Sequence, residues 1–526
     1  MVYFNNVEQM VGGPKMSTIS RTGRGSTNTT LVTAVVCLAL AAVVAAMASL
    51  NVALPSIARS THATQTQLEW VIDAYSLVFA SLLLPAGAIG DKFGRRRALI
   101  VGLTIFGAGS AVAMTASSAT ELILLRGVLG LGASLVMPAT LSTITTTFPI
   151  ERRAQAISVW AGVAGGSALL GLIASGAVLE HWSWKAVFAI NVVLAAVALV
   201  GTLRVVPESG DADAPRLDIA GGLIAVIGLV ALVFSIIEAP EAGWLTARTI
   251  VGLVGGLAVL VGFVVWELRQ QHPLLDPRVF RLRKLTAGSV SIFMQFFAFF
   301  GFTFGMLQFM QGVRGDSPLL ASISVLPLGI TLIPTSRITP RLATRFGRRA
   351  VCIAGLTIMA IGLSVLAQMS GSSAYSTIVC GLVLLGAGMG LAMTPATSAI
   401  TEALPAAQQG VGSALNDLSR ELGGAFGIAV IGSVLTATYR SHLHLPGASA
   451  AVVAKARASF GIASHMGGAI TPHAQSAFVS GMHAALYCAS GAAALGAVMV
   501  AILLRGQGKT EAIALEPEPV YQADFV

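Results

Sequence analysis

Charge is scarce in this 526-residue sequence: Asp, Glu, Lys and Arg make up 10% of it, against 55% hydrophobic residues and a mean hydropathy of +0.81. A soluble interior could not hide that much apolar surface, so the solvent must be lipid. Cysteine is scarce too, and Cys37, Cys352, Cys380 and Cys488 all lie in apolar stretches, which argues against a disulfide framework or a metal site. There is no Walker loop, and no Ser, His or acid falls into a nucleophile or metal-ligand spacing. ATP hydrolysis and enzymatic catalysis are therefore not expected, and no cofactor is called for. Ten-residue alternation of apolar and polar positions is also missing, which removes a β-barrel and leaves helices as the spanning element.

What is present is a series of apolar runs. Fourteen reach about 18 residues or more, at roughly 31–54, 68–89, 98–117, 120–141, 155–179, 185–206, 218–237, 248–267, 286–311, 318–335, 351–369, 375–397, 410–437 and 478–504. With both termini in the cytosol, the bases at 92–97, 152–153, 204, 216, 269, 278–284 and 341–349 fall on the inner side, and few others, such as Arg59, Lys185 and Arg314, face outward. The net charge of +9 then reads as topology rather than as a nucleic-acid surface. Residues 1–30 form a polar tail before an uncleaved first span, and Met16 is an alternative start to Met1. The longest outward connection, about 438–477, carries His442, His444, His465 and His473, which as scattered residues of a solvated loop do not point to metal binding.

One stretch occurs twice. FGRRRALIVGLTI at 93–105 returns as FGRRAVCIAGLTI at 346–358, an offset of 253 residues, and GLGASLVMPAT at 130–140 is echoed by GAGMGLAMTPAT at 386–397. Two related halves, each with a basic loop between its second and third helices, are the signature of a transporter built from parallel repeats. Six helices per half leave the spans at 218–237 and 248–267 over in the middle.

Together with WVIDAYSL at 70–77, GDKFGRRR at 90–97 and LLRGVLGLGASLVMPAT around Arg126, this chain resembles the major facilitator superfamily, specifically the fourteen-helix drug:proton antiporters. The resemblance implies an all-α membrane protein of fourteen transmembrane helices: an N-terminal six-helix bundle over 31–206, a linker with two additional helices over 207–284, a C-terminal bundle over 285–504 and a cytosolic tail over 505–526. It implies that Gly90, Asp91, Gly94, Arg95 and Arg96 latch the halves through charge pairs when the transporter faces outward, Gly94 permitting the turn. The second copy has Thr344 where the first has Asp91, so the latch is one-sided.

Charges inside apolar runs are the candidate site. Asp73 among Val71, Ile72, Ala74, Leu77 and Val78 must face a cavity, bind a cation or be protonated, which makes it the leading site for a proton or a cationic substrate. Arg126 cannot lose its proton and needs an acceptor; the resemblance makes it the base implicated in coupling. Asp417 with Arg420 and Glu421 is either a second titratable site or an interfacial ion pair, and Arg337 and Glu238 read as interfacial. Where the family carries an acid in the first helix, nine residues before the Pro of ALP, this chain has Ala46, which puts the acid load on Asp73. The antiporter signature of the fifth helix survives as Gly162, Gly166, Gly171 and Gly176 for close packing, but Leu172 stands where the family has Pro. Phe293, Met294, Phe296, Phe297, Phe299, Phe300, Phe304, Met306 and Met310 crowd the ninth span, as a greasy cavity wall or as ordinary packing.

The expectation is a proton-coupled secondary exporter of lipophilic, often cationic drugs or biocides, working by alternating access in the bacterial cytoplasmic membrane. Its partners are small-molecule substrates, protons and the lipid bilayer, without nucleic acid, and one chain suffices. Export of an endogenous lipid, siderophore or metabolite is the first alternative, and a non-transporting sensor or scaffold the second.

Overall fold

The computed structural model describes residues 29–148, 150–210, 218–271, 273–404 and 409–505. Both tails, Arg216 and the side chains of Arg152 and Arg153 lie outside the described residues. Among the described residues, fourteen helical spans are long and apolar enough to cross a membrane, as the apolar runs predict.

The first bundle consists of α1 (Thr29–Thr61), α2 (Gln65–Phe93), α3 (Arg95–Ala113), α4 (Ala119–Thr147), α5 (Ile150–His181) and α6 (Val187–Val205). A central hairpin follows, α7 (Ile219–Ala242) and α8 (Ala247–Glu267), with Gly228 against Leu260 and Gly256 against Leu232. The second bundle consists of α9 (Arg283–Gly312), α10 (Pro318–Ser324), α11 (Leu326–Phe346), α12 (Arg348–Leu366), α13 (Tyr375–Thr401) and α14 (Gln409–His442). After the short α15 (Ala450–Ala458) and α16 (Phe460–Ala463) it ends with α17 (Ile470–Leu503). The side at which α1 begins and α17 ends is called basal below, the opposite side apical.

Local chemistry explains the boundaries. Thr64 and Gln67 form a reciprocal capping box that starts α2, and Ser118 with Glu121 starts α4 in the same way. Gly94 (φ 111°) and Gly347 (φ 84°) make the two basal turns of the repeated stretch, a backbone that side chains resist. The tenth span differs from the single uninterrupted run expected at 318–335. It is two helices that part at Val325, because Pro327 has no N–H to continue α10, and α11 then runs on to Phe346. The apical connection expected at 438–477 is likewise shorter. α14 and α17 extend into it, and α15, capped by Ser449, fills part of the remainder.

The repeat is visible in packing. Gly102 and Gly132 press α3 onto α4, each Cβ position 2.8 Å from the other's carbonyl oxygen. Gly355 and Gly388 do the same for α12 and α13, at 2.7 and 2.6 Å. Gly102 and Gly355 are the same position of FGRRRALIVGLTI and its second copy.

Hydrogen bonds that join the two bundles gather in the apical half. Gln65 donates to Gln308 (3.2 Å), Gln311 to the Val52 carbonyl (2.9 Å), the Leu319 N–H to Glu180 (3.1 Å) and Thr436 to Glu69 (2.6 Å). Along α5 the contact fades basally: Gly176 is pressed onto Pro318 and Ser322, and Leu169 reaches Gly329. Gly166, Gly165 and Gly162, on the following turns of that face, have nothing within 4 Å of a Cβ position. The bundles are closed at the apical side and part basally along α5 and α11.

Candidate functional site

Arg126 is the largest fully buried side chain among the described residues, and no carboxylate holds it. Its Nε donates to the Val71 carbonyl (2.8 Å), and its terminal nitrogens donate to the carbonyls of Ala46 (3.4 Å) and Ile72 (3.5 Å). The guanidinium lies 4.3 Å from the ring centroid of Tyr75, whose hydroxyl donates to the Val43 carbonyl (3.0 Å). The cation is thus satisfied by carbonyl dipoles and a ring face, a guanidinium's usual substitutes for an anion. Gly130 lets α4 approach this close, because a Cβ there would stand 2.5 Å from the Tyr75 carbonyl.

Asp73 is also fully buried, but with neither carboxyl oxygen hydrogen-bonded. It is not brought to Arg126. Its helical neighbours Trp70 and Leu77 pack into an apolar cluster with Leu229, Val233, Ile236 and Ile237 of α7 and Ala429 of α14, so Asp73 faces the seam between the bundles. One turn toward the apical side lies Glu69, fully buried as well. One of its oxygens accepts from Thr436 of α14, and the other has no partner. Glu69 was missed in the sequence because it sits at the edge of the second apolar run. Its signal was present: an acid four residues before Asp73 shares its helix face.

Asp417, Arg420 and Glu421 resolve as an internal cluster rather than an interfacial pair. Arg420 reaches Asp417 (3.5 Å) and Glu421 (3.2 Å), which are nearly excluded from solvent. Arg420 also lies 5.7 Å from the Phe296 ring and 3.8 Å from the Met137 sulfur of the first bundle. Beside it, Thr397 donates to Asn416 (3.0 Å). The ninth-span aromatics divide: Phe304, Met306 and Met310 are core, whereas Phe293, Phe297, Phe299 and Phe300 are half-buried and form ring pairs, Phe296 meeting Phe299 edge-on and Phe300 at a tilt. Glu238 accepts from the Trp70 indole (3.1 Å), and Arg337 is exposed on α11.

The basal loop of the first bundle keeps its charge pairs to itself. Asp91 pairs with Arg95 (2.8 Å), Arg96 donates to the carbonyls of Leu203 (2.5 Å) and Thr202 (3.4 Å), and Arg97 lies 3.6 Å from Glu208. The Gly94 N–H returns to the Gly90 carbonyl (3.0 Å), and Glu208 occupies the space a Cβ on Gly94 would need. Of the fifth-helix glycines, Gly171 packs on Ala45 and Gly176 on α10, while Gly162 and Gly166 face open space. Leu172 fills the missing Pro position by packing into the second bundle's core. Among the described residues no cluster of His, Cys, Asp and Glu could hold a metal ion, and the cysteines are unpaired.

The sequence profile of the Major Facilitator Superfamily matches residues 36–428. The chain is similar to multidrug resistance protein Stp of Mycobacterium tuberculosis, 34% identical over 75% of this chain and 74% of that protein. It is similar to methyl viologen resistance protein SmvA of Salmonella typhimurium, 33% identical over 87% of this chain and 93% of that protein. A third relative is the tetracenomycin C resistance and export protein of Streptomyces glaucescens, 30% identical over 86% and 87%. In fold it is similar to a bacterial homologue of the human lysosomal transporter Spinster, with TM-score 0.63 and 17% identity over 91% of this chain and 98% of that one.

Proposed function

The chain belongs to the major facilitator superfamily, its fourteen spans fit the drug:proton antiporter branch, and on that premise we propose that it exports lipophilic, often cationic drugs or biocides in exchange for protons. It acts as a transporter, not as an enzyme, and is a multi-pass membrane protein. The observation that carries the reading is Asp73, a carboxyl group wholly buried at a seam between bundles with neither oxygen hydrogen-bonded. Such a group is stable when protonated or when a cation lies beside it. One group that accepts either in turn is enough to exchange them. Relatives named for resistance to drugs and to methyl viologen support that substrate class.

In this reading the basal side, which carries most of the loop bases, faces the cytosol of a bacterial cell, and both tails with it. The apical closure and the basal parting along α5 and α11 then correspond to an inward-facing carrier. The bundles over 31–206 and 285–504 rock about the buried charges, with 207–284 as an accessory hairpin. The Arg420 cluster and the half-buried aromatics of α9 line the substrate path, Arg126 fixes the first bundle's core behind Asp73, and Gly171 and Gly176 carry the close packing on which α5 moves. Asp91 and Arg95, paired with each other in this state, are freed for the opposite bundle when the carrier faces outward. One chain holds both bundles and so suffices.

The test is accumulation of a fluorescent lipophilic cation in cells expressing the chain. Expression lowers accumulation, and collapse of the proton gradient or Asp73→Asn restores it to the level of empty cells. Efflux that persists in Asp73→Asn with its pH dependence intact contradicts the reading. Transport of neutral or anionic solutes without dependence on Asp73 points instead to an endogenous lipid, siderophore or metabolite.

A further inference from the structure

Glu69 belongs to none of the roles above, and its surroundings are unusual for an acid. It sits at the crossing of α2 and α14, fully buried, with Thr436 donating to one oxygen and the other unpartnered. Gly432 makes room for it: a Cβ there would stand 3.0 Å from the carboxyl carbon.

The charged and titratable groups facing Glu69 can be named from each element. On α2 itself there is Asp73, which has no hydrogen-bond partner. On α14 there is Arg440, and on α7 there is Glu241. Arg440 and Glu241 form an ion pair (2.5 Å), Arg440 also donates to the Pro240 carbonyl (3.3 Å), and Glu241 accepts from Thr66 of α2 (2.8 Å). Glu238 of α7, one turn away, is held by Trp70. From α9 the neutral Gln308 bonds to Gln65, one turn before Glu69 on α2. Of the three carboxyl groups Glu69, Asp73 and Glu241, the one guanidinium here is paired with Glu241, and Glu69 and Asp73 have no cation in contact. If all were ionised, the closed seam would seal two uncompensated negative charges away from water.

The routes out of this pocket are unequal. Toward the basal side lies the apolar cluster of Leu77, Val233, Ile237 and Ala429. Toward the bilayer lies α7, which follows α2 from Glu241 at Thr66 to Gly222 against Pro85. The apical route passes Arg440 and Glu241, which remain partly exposed.

The geometry points to Glu69 as the acid of the outer gate: neutral while α2 and α14 are closed over it, ionised when they part, and exchanging its proton with the external side alone. It rests on the orientation proposed above. External acid therefore holds the gate shut, and the central helix α7 gains a role as the wall that keeps this proton off the basal and bilayer routes. Asp73 carries the transported charge; Glu69 sets how readily the gate opens.

The gate measurement needs no substrate, so it stands or fails apart from the efflux reading. Spin labels at His62→Cys, on the apical turn that leads into α2, and Ser441→Cys, at the apical end of α14, in a chain whose four native cysteines are replaced, report the opening of that gate in lipid nanodiscs between pH 5 and 9. The open-to-closed ratio rises with pH, by up to tenfold per pH unit for one linked proton. In Glu69→Gln that slope drops by up to one proton, Glu69→Asp restores it, and Thr436→Val shifts the midpoint while keeping the slope. A slope unchanged in Glu69→Gln overturns the proposal. In proteoliposomes transporting the fluorescent lipophilic cation, Glu69→Gln leaves the number of protons exchanged per cation unchanged, and a count lower by one overturns the external-only exchange.

Discussion

Arg126 donates to the main-chain oxygen of Ala46 across 3.4 Å, at the first-helix position where the family resemblance leads one to expect an acid. The guanidinium is held without a carboxylate, by three carbonyls and the Tyr75 ring. This divides the buried charges of the first bundle into two separate sites, Arg126 behind α2 and the acids Asp73 and Glu69 at the seam.

Restoring the acid tests that division. Ala46→Asp gains a ready cation and unfolds within a few degrees of the unaltered chain. In an Arg126→Leu background the same acid is stranded and costs at least about 2.5–3.5 kcal/mol. Thermal melts of the four proteins in one detergent give the comparison; equal losses in both backgrounds would contradict the placement.

The paired glycines should be equivalent across the repeat. Gly102→Val and Gly355→Val each drive a side chain into a facing carbonyl already 2.7–2.8 Å from the Cβ position, an overpacking worth about 1–3 kcal/mol. Gly162→Val, facing open space, is expected to be nearly neutral in the same melts.

Removing Arg420 leaves Asp417 and Glu421 buried without their cation. Arg420→Met is expected to cost about 3 kcal/mol, and Arg420→Met combined with Asp417→Asn and Glu421→Gln to recover most of it. Recovery read from the melting temperature, with transport still absent, separates the structural part of this cluster from its part in transport.

At the apical surface, His465 meets Arg59 at 2.8 Å, and burial together with that neighbouring charge pushes its imidazole below the ordinary range. The folded loop therefore binds a proton less readily than the unfolded one. Its stability is full at neutral pH and falls as the pH drops through the ordinary imidazole value of about 6.5. Protection factors of residues 459–469, with exchange corrected for its intrinsic pH dependence, should fall from pH 7.5 to pH 5, and the acid-dependent part should vanish in His465→Gln.

Much of this was legible in the sequence. Fourteen apolar runs gave fourteen spans because lipid leaves a helix no alternative way to satisfy its backbone. Asp73 and Arg126 stood out because charges in such runs are expensive. What could not be read was direction. That Arg126 and Asp73 lie on opposite sides of α2, and that Asp417 and Glu421 are internal, depends on which helices pack there. The break at Val325 was hidden because Pro327 sits inside an apolar run, and Glu69 because the edge of a span looks like water until α7 and α14 cover it.

The central claim is tested most directly by reconstituting the purified protein in liposomes, imposing a pH gradient, and following a fluorescent lipophilic cation with the unaltered chain and with Asp73→Asn. The account predicts gradient-driven accumulation that the substitution abolishes; equal accumulation by both proteins would contradict it.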